Sequence, residues 1–305
     1  MQLSYTKIQC WLMFFILLLE SVWISFASFT FMYDLDFSLK FGFFLSLLIL
    51  PYLFYKQFRP DPRIVSLLES LVFIILFTQL MVVASFLFAS LNFSLIDNAL
   101  VFIDSLFIYP FPSIVMWFRA HPEWDIFFAF IYNSFLYQFP LVIFYFSARG
   151  KVLLLQRFVM QFMIASCLTA LLSGIFPALG PYVFYGYTPS PALGEALNKL
   201  LEIRQGIVNI SVQAGIVTFP SFHVIMALIY IYTFRGERTF VFIPIVLLNL
   251  LLIFSCLPIG QHYFADLLGA IPVFVLTIWL DNLLYKYVVQ KRGTSVPKKS
   301  LKFPR

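Results

Sequence analysis

Runs of about 20 apolar residues recur along this chain from residue 8 to residue 288, each long enough to cross the hydrocarbon of a bilayer as a helix. In lipid every backbone N–H and C=O must be satisfied inside the protein, and a helix does this segment by segment. The composition agrees: of 305 residues, 62% are hydrophobic, 20% aromatic and 11% charged, more apolar surface than a water-soluble domain of this length buries. The pattern predicts an all-α integral membrane protein with about eight transmembrane helices, at roughly 8–33, 39–55, 64–90, 125–147, 158–179, 219–234, 239–258 and 263–286. The first run follows a single Lys7, is too long for a signal-peptide core and ends without the usual small-residue cleavage site, so it reads as a retained helix. Cys10, Cys167 and Cys256 all fall in or beside apolar runs, where a disulfide framework has nothing to staple.

The net charge of +6 does not point to nucleic acid, because no soluble segment is long enough to make a binding surface. Topology accounts for it better. With the N-terminus in the cytoplasm, Lys7, Lys56, Arg59, Arg63, Arg149, Lys151, Arg157, Arg235 and Arg238 fall inside, as do the tail residues Lys286, Lys291, Arg292, Lys298, Lys299, Lys302 and Arg305. That is 16 of the 20 basic residues, against Arg119, Lys199 and Arg204 outside and Lys40 near a helix end. The asymmetry sets both termini in the cytoplasm.

Two outer loops are long, 91–124 and 180–218. The first carries an apolar stretch broken by Pro110 and Pro112, expected to lie along the interface or to re-enter. In the second, Ser190 to Arg204 sets Leu193, Leu197, Leu200 and Leu201 at helical spacing, a short surface helix. The expected division is an N-terminal helix pair with its cytoplasmic loop (1–63), a catalytic membrane domain (64–289) and a basic tail (290–305) leaning on anionic lipid.

The chain has only three histidines, and two fall at the outer ends of predicted helices. Pro220, Ser221 and His223 stand where the second long loop enters the sixth helix, and a serine with free amides at a helix N-terminus is a ready anion site. His262 and Asp266, four apart at the start of the eighth helix, share one face, so the carboxylate can hold one imidazole nitrogen and leave the other free. Such a pair suits phosphoryl transfer through a phosphohistidine: the imidazole oriented by Asp266 attacks phosphorus and the other protonates the departing oxygen.

Pro220-Ser221-Phe222-His223 and the run Ser255-Cys256, His262, Asp266 resemble the second and third motifs of the type 2 phosphatidic acid phosphatase superfamily, Pro-Ser-Gly-His and Ser-Arg-x5-His-x3-Asp. FPSFH together with HYFAD looks like the inositol-phosphorylceramide synthase (aureobasidin-resistance) and sphingomyelin-synthase-like branch, and IFPALGP (175–181) and IRQG (203–206) look like the loop of that branch. The resemblance covers about 98–285 and implies a six-helix core at the C-terminal side, a lipid phosphate substrate and catalytic roles for His223, His262 and Asp266. Two departures stand out. The first superfamily motif, a lysine–arginine–proline pattern, is absent in its usual form, and Cys256 stands where the superfamily has a phosphate-binding arginine. Arg204, the basic residue nearest in sequence on the same face, is the expected replacement, with Ser221 and Lys199 as further phosphate contacts and Arg119 behind them.

The expected function is a membrane lipid phosphate phosphatase or phosphotransferase on the non-cytoplasmic face, with water or a lipid or polyol hydroxyl as acceptor. Transfer is favoured. The rivals are a simple phosphatidic acid-type phosphatase, a lipid transporter, or an inactive scaffold with this fold. A transporter would show paired broken helices in two related halves, which the sequence lacks. No cofactor and no metal are expected, since both histidines and the aspartate are engaged in acid–base and nucleophilic roles. Glu20 and Glu69, acids within apolar runs, are noted as outside the phosphate chemistry, and Cys256 reads as a packing thiol.

Overall fold

A computed structural model describes residues 4–27, 30–32, 35–107, 111–188, 191–209 and 218–293. The chain order is α1 (Tyr5–Phe26), β1 (Thr30–Met32), α2 (Leu35–Gln57), α3 (Pro62–Ala89), α4 (Asp97–Leu106), α5 (Phe111–Arg119) and α6 (Pro122–Ala148). It continues with α7 (Val152–Ile175), α8 (Pro181–Phe184), α9 (Pro191–Arg204), β2 (Ile207–Asn209), α10 (Phe222–Phe234), α11 (Thr239–Ser255) and α12 (Phe264–Gly293). Six helices, α1, α2, α3, α6, α7 and α12, are long and apolar enough to cross a membrane, and α10 and α11 are shorter apolar helices. The fold is an all-α integral membrane architecture. Among the described residues the one departure is a two-stranded parallel pairing, Thr30 opposite Ile207 through Met32 opposite Asn209, that links the α1–α2 connection to the segment after α9.

Local chemistry explains several boundaries. Asp61 accepts from the Arg63 amide at 2.8 Å and Pro62 opens α3, a capped start with proline where no N–H is needed. Pro51, Pro140, Pro244 and Pro272 lie inside apolar helices, which tolerate them where neighbours satisfy the freed carbonyls. The first span ends at Phe26, well short of residue 33, and the fifth begins at Val152, so Arg157 is not a loop cation.

The core is aromatic and lies between α3, α6, α7, α10 and α12, with Phe77, Phe146, Phe158, Tyr230 and Phe234 all buried. Gly174 lets α7 close on α3: a Cβ there would stand 2.4 Å from Phe88 Cβ, the small-residue approach by which membrane helices gain packing contact. Of the surface-helix leucines, Leu200 packs with Ile203 against Val82, Phe86 and Ala89 of α3, Leu201 is exposed, and the Leu193 side chain lies outside the described residues.

A buried polar network fixes α1. Asp281, fully buried on α12, accepts from Arg157 Nε and Nη2 at 2.9 and 2.6 Å, from Gln161 Nε2 at 2.8 Å and from the Tyr5 hydroxyl at 3.0 Å. A buried charge in lipid requires such partners. Because Asp281 lies between four and five turns along α12 from its start at Phe264, and His262 just precedes that start, Tyr5 and the histidine sit toward opposite ends of the bundle.

Candidate active site

The site is assembled from the N-terminal ends of two neighbouring helices. The Ser221 amide, the N-cap of α10, donates to the Asp266 carbonyl in the first turn of α12 at 3.2 Å. This brings the Pro-Ser-Phe-His and His-x3-Asp segments side by side although 39 residues separate the two histidines (223 to 262).

His262 Nδ1 lies 3.1 Å from Asp266 Oδ2 and 3.1 Å from the Thr218 carbonyl. Both neighbours are acceptors, so the proton of a neutral ring sits on Nδ1 and Nε2 keeps its lone pair. Asp266 Oδ2 also accepts from the Tyr263 amide at 2.9 Å, and the carboxylate is 0% exposed. His223 stacks on Tyr132 of α6 with ring centroids 3.9 Å apart, and Phe135 lies at 4.4 Å. Its centroid is 6.0 Å from that of His262. Tyr132 donates to Gln261 Oε1 at 2.8 Å and so ties α6 to the loop before His262. Ser221 Oγ is buried beside the Cys256 thiol without reaching hydrogen-bond geometry, and Cys256 Sγ contacts the Leu252 carbonyl at 3.5 Å.

Around this dyad lie residues that the sequence reading passed over. Asp104 of α4 accepts from the amides of Phe264 (3.1 Å) and Ala265 (2.7 Å). Burial pushes its carboxyl above the usual range, against the pull of those two donors. Asp97, two turns earlier, accepts from the amides of Leu179 and Gly180 and from the Tyr263 hydroxyl at 2.8 Å. Burial and the Asp97 charge raise the Tyr263 phenol far above its ordinary value, so it remains a donor. Tyr187 donates to the Gly260 carbonyl at 2.8 Å, and the Arg119 guanidinium stands 4.8 Å over the Tyr187 ring. The signal available in sequence was the rarity of acids in this apolar stretch, which applies to Asp97 and Asp104 as much as to Glu20 and Glu69.

The expected phosphate cations are bonded elsewhere. Arg204 Nη2 donates to the Phe93 carbonyl at 3.2 Å, its own carbonyl accepts from Asn92, and Nη1 is buried without a partner among the described residues. Lys199 pairs with Glu195 on the surface of α9. Glu69 accepts from the Thr6 and Tyr52 hydroxyls near a cavity of about 590 Å³ lined by Lys7, Lys56 and Gln156, at the far end of the bundle from the histidines. Glu20 is buried on α1, with Oε1 unpartnered among the described residues.

Helices long enough to span a bilayer define a multi-pass membrane protein, in which two histidines and a buried aspartate meet where two helices begin. The family model of the PAP2 superfamily matches residues 98–280. The chain belongs to that superfamily, whose membership supports a lipid phosphatase type of function. No curated protein and no solved structure matches it.

Proposed function

We propose that the protein transfers or hydrolyses the phosphate group of a lipid through a phosphohistidine at His262, at the membrane face opposite its termini. The observation that carries this reading is the pair of acceptors on His262 Nδ1, which leaves Nε2 as a nucleophile. Nε2 forms a bond to phosphorus as the bond from phosphorus to the leaving oxygen breaks, and His223, which takes up a proton together with the bound phosphate anion, gives that oxygen its proton. Water or an acceptor hydroxyl then attacks phosphorus, its proton passes to His223, and the bond from Nε2 to phosphorus breaks. Asp266 stabilises the charged ring between the two steps. The amides at the start of α10 and the Ser221 hydroxyl are assigned to the anion, with Arg204, and behind it Lys199 and Arg119, as the cations that would leave their present partners to join it.

Transfer to a lipid or polyol hydroxyl, of the inositol-phosphorylceramide-synthase type, is the favoured branch on the strength of FPSFH and HYFAD. The test is purified protein with phosphatidic acid, and with a phospholipid donor plus ceramide or diacylglycerol, followed for released phosphate and for phosphorylated acceptor, with and without EDTA. Turnover in the parent and a loss of about 10³-fold in His262→Ala supports the mechanism. Phosphate release without acceptor product makes the protein a phosphatase. A parent inactive on every substrate leaves the transporter and scaffold readings.

A further inference from the structure

We propose that Asp104 is a positioning residue for the His262–Asp266 pair, a role that rests on the phosphoryl-transfer reading above. The first N–H groups of a helix have no partner within it and need acceptors from elsewhere. At the start of α12 three successive amides are met by two carboxylates: Tyr263 by Asp266 Oδ2, Phe264 by Asp104 Oδ2 and Ala265 by Asp104 Oδ1. Asp104 comes from α4 and is 2% exposed, so the cap is supplied inside the protein by another helix. Its charge also suits the positive end of the α12 dipole.

The division of labour matters for His262. Asp266 Oδ2 already serves the Tyr263 amide as well as the imidazole. With Asp104 gone, the Phe264 and Ala265 amides become buried donors without a partner, a cost of about 1–3 kcal/mol each. The Asp266 carboxylate, in the same turn, is drawn toward them and away from Nδ1. Asp97 reinforces the arrangement from the same helix by holding the Tyr263 hydroxyl and the 179–180 backbone. The opposite face of α4 exposes Phe102 and Leu106, so the helix is amphipathic, with an apolar side turned outward and Asp104 on the α12 turn.

The experiment compares Asp104→Asn, Asp104→Ala and Tyr263→Phe with Ser105→Ala, whose side chain lies on the exposed face of α4. Each is measured by kcat, KM, Tm in detergent, and hydrogen–deuterium exchange of the peptide spanning 262–268. The inference expects kcat to fall roughly 10²-fold in Asp104→Ala, less in Asp104→Asn, which keeps one acceptor, and a few-fold in Tyr263→Phe. KM stays near the parent value, and faster exchange is confined to the α12 start. Ser105→Ala behaves as the parent. Parent-like kcat in Asp104→Asn and Tyr263→Phe, or a change in KM alone, overturns the proposal. Should Asp104→Ala fail to fold, those two variants decide it. An inactive parent defeats the phosphoryl-transfer reading instead, and exchange then tests the cap alone: unchanged protection in Asp104→Asn overturns the positioning role whatever the activity.

Discussion

The Ser221 amide donates to the Asp266 carbonyl at 3.2 Å, a backbone bond that holds the starts of α10 and α12 in register whatever side chains they carry. Side-chain replacements in the dyad are therefore expected to remove chemistry and spare the fold. Asp266→Asn frees Nδ1 to adopt the wrong tautomer while the backbone bond remains. We expect a kcat loss of about 10³-fold or more with Tm within a few degrees of the parent. His223→Ala, losing the acid, falls by roughly 10²- to 10⁴-fold. Turnover near the parent level in either variant removes that residue from the mechanism.

The cation that meets the phosphate is separable by substitution. Arg204→Ala is expected to lower kcat/KM by roughly 10²-fold, with Arg204→Lys recovering part, because a guanidinium grips phosphate bidentately. Arg119 offers a structural contrast: it stands over Tyr187, whose hydroxyl holds the Gly260 carbonyl two residues before His262. If Arg204→Ala is fully active and Arg119→Ala or Lys199→Ala is dead, the role passes to that residue. If all three are active, the α10 amides bind the anion unaided.

Gly260 has φ +75° and is buried, and a Cβ there would lie 2.9 Å from the Tyr187 hydroxyl oxygen and 3.2 Å from Val115 Cγ1. Gly260→Ala should thus cost about 1–3 kcal/mol in stability and shift the loop that carries His262. Thermal unfolding and kcat measured on the same preparation check both halves. Parent-like values in each would show the loop to be compliant.

At the other end of the bundle, Glu237 between α10 and α11 has a side chain 3% exposed. Burial pushes its carboxyl up, but Lys151, the Tyr145 hydroxyl at 2.8 Å and Arg149 at 3.9 Å outweigh it and leave it below the usual range. A depressed folded-state pKa adds stability above the unfolded value near 4.3 and loses it as pH falls through the folded value. Melting temperature should decline across that acid window in the parent, and the decline should be shallower in Glu237→Gln.

Orientation is open to labelling. In a Cys10→Ser background, Gln205→Cys should react with an impermeant thiol reagent from the non-cytoplasmic side and Gly236→Cys should not. Gly236 is exposed and a side chain there meets nothing within 4 Å, whereas Gly260 is a poor probe for the strain just given. The opposite pattern would turn the molecule over.

Sequence patterns carried the membrane class and the histidine segments because both are local: apolar length specifies a span, and the four-residue spacing lets His262, two residues before α12 and not on its face as expected, still reach Asp266 in the first turn. What escaped was non-local. The cap on Phe264 comes from Asp104, 160 residues away in sequence, and nothing near either residue announces the pairing. The Arg204 expectation used sequence distance, while its guanidinium is held by the Phe93 carbonyl. Arg157 counted as a cytoplasmic loop charge until the helix start at Val152 brought it onto Asp281.

That pairing bears on how the protein is made. Arg157 enters the membrane with α7, and its counter-ion arrives 124 residues later on the last described helix. Until α12 is synthesised, the guanidinium has to be sheltered by water, headgroups or the insertion machinery. The Arg157–Asp281 pair therefore cannot close before α12 is in place. Truncation before Asp281, or its replacement by an apolar residue, would leave a chain inserted yet unassembled and exposed to membrane quality control.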